Sequence, residues 1–368
     1  MSPWGIVGQP RAVGALQQAV SSGRFIPSII FHGPAGAGKL ATAVAFCRAL
    51  LCPAADDPPC GRCPSCRRIA ERALVHPAVR AVFPETLSDF RKGEDAPEGS
   101  AGIDLQERQD EAVRNPAWTI LIDRIRESIA FVQRRPSEGR RLALIIDQAH
   151  RMGAEAANAL LKTLEEPPAH GVILLLAPAP HALLPTIRSR CQAVPFKLVP
   201  RAEIADYLVR ERSMPPDEAT LRAGLSGGRI GAAIEVDLAA DRQRREALLA
   251  LLESLAERDD PGLAVARAEQ LVRGGDGLDA DLETLMSLLR DVMVLAAAGD
   301  RTPGLIHVDL LPRLRRLAGL GPFGPAAVED LASTIHGIRR KGNRQLLVEN
   351  LFLSLLPGPG GAAAHRPT

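Results

Sequence analysis

Aromatic side chains are scarce: the 368 residues include nine Phe, two Trp and one Tyr, 3% in all. The cores must therefore be filled mainly by Leu, Ile, Val and Ala, within a hydrophobic fraction of 46%. No run approaches the roughly 20 apolar residues a membrane helix needs. The opening Met1-Ser2-Pro3-Trp4-Gly5 lacks the basic-then-apolar order of a signal peptide. These absences lead to the expectation of a cytoplasmic protein with no membrane partner. Charge of either sign is also in no excess, with a formal net of +2. A chain that held nucleic acid by itself would show a clear basic surplus, so any DNA contact should be local or shared with partners. Six cysteines are present, four of them crowded between Cys52 and Cys66. That is too tight for a disulfide framework in a chain of this size.

What is present has an order. A helix-like stretch, Arg11 to Ser21, precedes a short apolar run, Ser28-Ile29-Ile30-Phe31-His32; a glycine-rich turn and a second helical run from Lys39 to Leu51 follow. Two more apolar runs, Leu142 to Ile146 and Val172 to Leu176, are short enough for buried parallel strands. Between them Ala157, Leu160, Leu161 and Leu164 form a helical stripe that Pro167-Pro168 ends. Alternating strands and helices imply an α/β fold with a parallel sheet. Residues 84–117 are rich in Glu, Asp, Gly, Pro and Ser with little periodicity, and read as a solvated or flexible insertion. Order resumes at Thr119, where Ile122, Ile125, Ile129 and Val132 repeat at helical spacing. From Pro200 onward no strand pattern occurs. The expected domains are 1–199, a small helical unit at 200–240, a larger one at 241–356, and a Gly/Pro/Ala tail at 357–368.

The turn Gly33-Pro34-Ala35-Gly36-Ala37-Gly38-Lys39 matches the first seven positions of the phosphate-loop motif G-x-x-x-x-G-K-[ST]. Glycines let backbone N–H groups curl round phosphate oxygens, the following helix presents its positive end, and Lys39 adds a cation. The eighth position is Leu40, where a hydroxyl normally ligates the nucleotide's magnesium. The strand Leu144-Ile145-Ile146 ends in Asp147, a metal-holding position, but the next residue is Gln148 where a carboxylate base is usual. ATP or ADP could still bind; magnesium has lost part of its ligand set.

Cys52, Cys60, Cys63 and Cys66 read C-x7-C-x2-C-x2-C. Four thiolates close a tetrahedral zinc site with no open position, so the expected role is structural. Arg62, Arg67 and Arg68 would offset its negative charge. Cys47, on an apolar helix face, and Cys191 read as structural residues outside the cluster.

With those residues in view, the chain resembles the bacterial replicative clamp-loader subunits of the AAA+ class. A phosphate loop followed at once by a four-cysteine module is similar to the gamma/tau and delta prime subunits of DNA polymerase III. Asn158-Ala159-Leu160-Leu161-Lys162-Thr163-Leu164-Glu165-Glu166-Pro167-Pro168 looks like that family's helix after the second strand motif, and Ser189-Arg190-Cys191 like its Ser-Arg-Cys motif. The resemblance implies a P-loop domain, a helical lid and a helical collar that assembles a five-subunit ring with gamma/tau and delta. The ring would act on a sliding clamp and primed DNA. It also implies that Arg190 is an arginine finger, projected onto a neighbour's nucleotide.

Departures from the family pattern favour one kind of subunit. The polar sensor after Leu176 is replaced within Ala177-Pro178-Ala179-Pro180, and the Arg of the second sensor, within Ser226 to Ala233, falls at Gly231, with Arg229 nearby. A chain that keeps Arg190 but loses its own catalytic residues resembles delta prime, a stator with weak or absent ATPase. The alternatives are an active gamma/tau-like ATPase or an unrelated P-loop NTPase with a zinc lid. Arg124, Arg126, Arg134, Arg135, Arg140 and Arg141 give a local basic density that could reach DNA.

Overall fold

The computed structural model describes residues 4–24, 26–54, 58–69, 73–86, 103–139, 141–274, 277–298, 304–320 and 323–357. The chain divides into two units, one of residues 1–211 with 227–232, the other of 212–226 with 233–368. Among the described residues no helix is long and apolar enough to cross a membrane.

The first unit is an α/β layer structure. Its elements are α1 (Pro10–Ser22), β1 (Ser28–His32), α2 (Lys39–Leu50), α3 (Pro64–Arg68), β2 (Ala73–Leu74), β3 (Val79–Val82), β4 (Ile103–Asp104), α4 (Leu105–Arg114), α5 (Ile122–Gln133), β5 (Leu142–Ile146), α6 (Ala154–Glu165), β6 (Gly171–Ala177), α7 (Pro185–Arg188), β7 (Gln192–Pro195) and α8 (Arg201–Arg212). Five strands form one sheet in the order β3-β5-β6-β1-β7, every pair parallel. Successive side chains of a strand face opposite ways, and here both faces are covered. Ile29 and Phe31 of β1, Ala143 and Ile145 of β5, and Val172, Leu174 and Leu176 of β6 join a core with α1 and α2. Their sequence neighbours Ile30, Leu144, Ile146, Ile173 and Leu175 join a second core with α5 and α6. That two-sided burial is why these strands appear in the sequence as unbroken apolar runs.

Two edge strands, β3 and β7, are additions to the sequence reading. A larger correction concerns the stretch 84–117. Residues 87–102 lie outside the described residues, but the remainder is not a solvated insertion. Glu85 is buried and bridged to Thr119; β4 pairs antiparallel with β2; α4 is a regular helix capped by Asp104, whose carboxylate accepts from the N–H groups of Gln106 and Glu107.

The second unit is helical, as the absence of strand patterns after Pro200 leads one to expect. Its main helices are Leu238–Glu257, Pro261–Arg273, Leu278–Ala298, Leu311–Leu320, Pro325–Arg339 and Arg344–Ser354. Leu249, Leu252, Leu282, Leu288, Leu314 and Phe352 are among the residues of its core. Buried charge there is paired: Arg245, 1% exposed, donates to Asp241 and Asp309. The Asp291 carboxylate accepts from the backbone N–H groups of Ile306 and His307.

Candidate functional site

The phosphate loop lies at the C-terminal end of β1, the crevice side where open parallel sheets bind ligands. Its glycines are demanded by close approaches. Gly33 has φ +151°, and a Cβ there would sit 2.3 Å from the Phe196 carbonyl oxygen. Gly36 has φ +74°, and a Cβ there would lie 2.7 Å from Cγ of Arg229. The Arg229 side chain therefore runs across the loop, while Gly231, the position suggested by the family pattern, carries no side chain to do so. The loop is tied at its start by the Gly33 N–H to the Ala177 carbonyl (3.2 Å) and at its end by Gln9, whose amide donates to the carbonyls of Ala37 (3.1 Å) and Lys197 (2.5 Å). Gln9 went unnoticed in the sequence because its partner Lys197 is 188 residues away.

The polar groups at this loop are largely satisfied from within. Lys39 Nζ donates to the carbonyls of Gly33 (2.6 Å) and Pro34 (2.7 Å). Burial lowers its pKa, with the Asp147 carboxylate acting in the opposite sense. Leu40 is 7% exposed and belongs to the core shared with α1 and α2. The side chain of Asp147, 2% exposed, accepts from Gln109 Nε2 at 2.9 Å. Burial raises the pKa of Asp147, while the Gln109 hydrogen bond, the Gln148 backbone N–H, Lys39 and Arg151 lower it. Gln148 sits at φ +48°; its Oε1 accepts from Arg151 Nη1 (2.9 Å), and its buried Nε2 finds no acceptor among the described residues. Magnesium does not fit this arrangement. The motif's hydroxyl ligand is absent, the Asp147 carboxylate already holds an amide, and Lys39 and Arg151 act on the same carboxylate.

The cysteine cluster is the opposite case. Sγ atoms of Cys52, Cys60, Cys63 and Cys66 all lie within 4.8 Å of one another. A tetrahedral zinc with Zn–S bonds near 2.3 Å needs S–S edges of about 3.8 Å, so small adjustments complete the sphere. Backbone N–H groups point at the sulfurs: those of Cys60, Cys63 and Cys66 reach Cys52, Cys60 and Cys63 Sγ, each at 3.4 Å. Such donors pull the Cys60 thiol down to about 6, the Arg62 and Cys63 amides contributing most. Burial pushes the Cys66 thiol up to about 12. These four residues could hold a metal ion. Cys47 and Cys191 lie outside the cluster, with burial raising both thiols to about 12. Trp4 fixes the module to the sheet domain, its ring 6.1 Å from Phe46 and its Nε1 donating to the Pro58 carbonyl at 3.1 Å.

Arg190 follows α7 just before β7. Its Nη2 pairs with Glu165 at 2.6 Å, its Nη1 donates to the Thr186 carbonyl at 2.9 Å, and its side chain remains 33% exposed. Glu165 belongs to the Asn158–Pro168 segment, and no local pattern in the sequence marks it as the partner of Arg190. Arg124 is committed elsewhere, with both carboxylate oxygens of buried Glu85 at 2.8 and 3.0 Å, which weakens the case for its meeting DNA. Arg126 pairs with Asp123, and Arg140 lies outside the described residues.

A parallel sheet with a glycine-rich loop at the end of β1, flanked by four converging thiols, is shared with a class that similarity to known proteins identifies, the clamp-loader subunits. The chain belongs to the DNA polymerase III delta-subunit family, whose model matches residues 8–200, just over half its length. It is 26% identical to the delta' subunit of Bacillus subtilis over 356 residues, 95% of this chain and 97% of that one. The delta' subunit of Pseudomonas aeruginosa is 34% identical over 202 residues, 54% of this chain and 52% of that protein. The tau subunit of Escherichia coli is 28% identical over 340 residues, 89% of this chain but 45% of tau.

Proposed function

We propose that the chain is a delta prime-like subunit of the replicative clamp loader, a stator that helps place the sliding clamp on primed DNA in a ring with gamma/tau and delta. The observation that carries this reading is an asymmetry. The chain's own phosphate loop is closed on itself through Lys39, Leu40 and Asp147, whereas Arg190 keeps a partly exposed guanidinium, paired with Glu165 and with the Thr186 carbonyl and Ser189 hydroxyl of its own turn. Arg190 serves as an arginine finger on a neighbouring subunit's nucleotide, where a cation stabilises charge developing on the transferred phosphoryl group.

Within this reading the cysteine cluster holds a structural zinc, the segment 200–240 acts as the lid, and 241–356 forms the collar. ATP or ADP contacts, if made, fall to the backbone of Gly33 to Leu40, to Lys39 and to Arg229; Asp147 is a structural anchor. An active gamma/tau-like ATPase would need a metal ligand set that Leu40 and Gln148 do not supply. The test is reconstitution with gamma/tau and delta subunits. Arg190→Ala should slow ATP turnover at the site it serves by about 10³-fold while the ring still assembles. A chain that fails to join the ring, or that alone hydrolyses ATP at a motor-like rate, contradicts the proposal.

A further inference from the structure

Magnesium does not fit beside Asp147, and what fills its place comes from an unexpected part of the chain. We infer that α4 is a built-in plug of the metal position: the Gln109 amide takes the place at Asp147 that a divalent cation needs. With Gln109 at this position, docking of the helix and binding of a metal ion at Asp147 exclude one another. The inference rests on the phosphate-loop reading above and explains how the loop was closed.

The helix is anchored at both ends and contacts Asp147 between them. At its start, β4 pairs with β2, Asp104 caps the first turn, and Leu105, 1% exposed, enters the core shared with α1 and α2. At its end, Arg151 Nη1 donates to the Ala112 carbonyl at 2.6 Å and Nη2 to the Asn115 carbonyl at 2.8 Å, with Ala112 fully buried. Leu105, Gln109 and Ala112 are spaced four and three apart, so they share one helix face. Gln109 is thereby aimed at Asp147, where Nε2 donates to Oδ2 at 2.9 Å.

Arg151 links the two parts. One guanidinium holds the C-terminal end of α4 and the side chain of Gln148, and its charge also acts on Asp147. Around the carboxylate stand the Gln109 amide, the Gln148 backbone N–H, Arg151 and Lys39, all donors or cations. A divalent cation would meet two positive side chains and a single carboxylate. Long connections without a role of their own are uncommon in compact domains. Here the connection between β3 and α5 supplies the side-chain hydrogen bond that occupies Asp147 Oδ2.

The test uses the full-length, zinc-loaded chain and Mn²⁺ as the probe, read by electron paramagnetic resonance, together with hydrogen–deuterium exchange of residues 105–114. Wild type and Asp147→Asn should bind Mn²⁺ alike within twofold, because Asp147 offers no free ligand. Gln109→Ala should speed amide exchange across 105–114 at least tenfold without altering exchange in the β5 and β6 strands. Gln109→Glu, which places a second carboxylate against Asp147, should bind Mn²⁺ at least tenfold more tightly than wild type. Wild-type Mn²⁺ binding that Asp147→Asn removes overturns the inference. So does unchanged exchange of 105–114 in Gln109→Ala, or a Gln109→Glu chain that binds Mn²⁺ no better than wild type. Neither readout depends on ring assembly, so failure here leaves the clamp-loader reading to its own test.

Discussion

The phosphate loop and the cysteine cluster are both places where a short motif gathers ligand atoms, and they have opposite balances. At the loop the charged groups have partners inside the chain, Lys39 its own loop carbonyls and Asp147 the Gln109 amide, and Leu40 has a place in the core; the buried Gln148 Nε2 is the exception among the described residues. At the cluster four sulfurs converge with little but one another and a few backbone N–H groups for company. A motif therefore marks a frame, and whether the frame is a working site depends on what is left unsatisfied. By that measure the four cysteines could hold a metal ion, while the loop has been closed by the rest of the protein.

The comparison can be broken most forcefully at the cysteines. Cys66→Ser should remove bound zinc, measured as metal per chain, and unfold the 52–69 module. Structural zinc contributes on the order of 10 kcal/mol in isolated zinc-finger peptides, so a loss of several kcal/mol in thermal unfolding is expected. Retained zinc with unchanged melting would remove the contrast between the two sites.

The loop side is probed by restoring what it lacks. Leu40→Ser returns the hydroxyl of the motif, yet Leu40 is a core residue, so the change should cost about 3 kcal/mol in chemical denaturation. It should give the chain no ATPase, because Asp147 and Gln148 remain committed. Gly33→Ala should destabilise by about 2 kcal/mol, since its Cβ collides with the Phe196 carbonyl, whereas Gly14→Ala on α1 meets no neighbour and should be neutral or better.

Protons make the mildest perturbation. His32 and His150, near the loop, and His76, near the cysteines, have pKa values lowered by burial first of all. A histidine with a depressed folded-state pKa takes up protons more readily when unfolded. Its contribution is complete above the ordinary histidine value and is lost as pH falls toward the folded value. Melting temperature should therefore decline as pH falls from about 7 to about 5, with the buried His76 contributing most. His76→Gln and His150→Gln should flatten that decline.

How much of this was legible depended on distance along the chain and on burial. β1, β5 and β6 stood out because both their faces are covered, which forces runs such as Leu142 to Ile146. β3 and β7 did not, being four-residue edge strands, one broken by Arg80 and the other with only Val194 buried. Helix α4 was hidden because only Leu105 and Ala112 of its ten residues are buried, too few to set a period against Glu107, Arg108, Asp110 and Glu111. Asp104, placed to cap it, was the available signal. The cysteine cluster was readable because its ligands are neighbours in sequence. The Gln109–Asp147 contact spans 38 residues, and the Arg190–Glu165 pair joins two separate motifs; such contacts are made by the fold and leave no local trace.

The central claim is that this chain contributes a cation to another subunit's site and no turnover from its own. Its most direct test is steady-state ATP hydrolysis by the reconstituted ring carrying wild-type or Arg190→Ala chain, measured beside the isolated wild-type chain. The account predicts an isolated chain indistinguishable from buffer and a ring whose turnover falls sharply with Arg190→Ala. An isolated chain that hydrolyses ATP, together with an Arg190→Ala ring that runs like wild type, would contradict it.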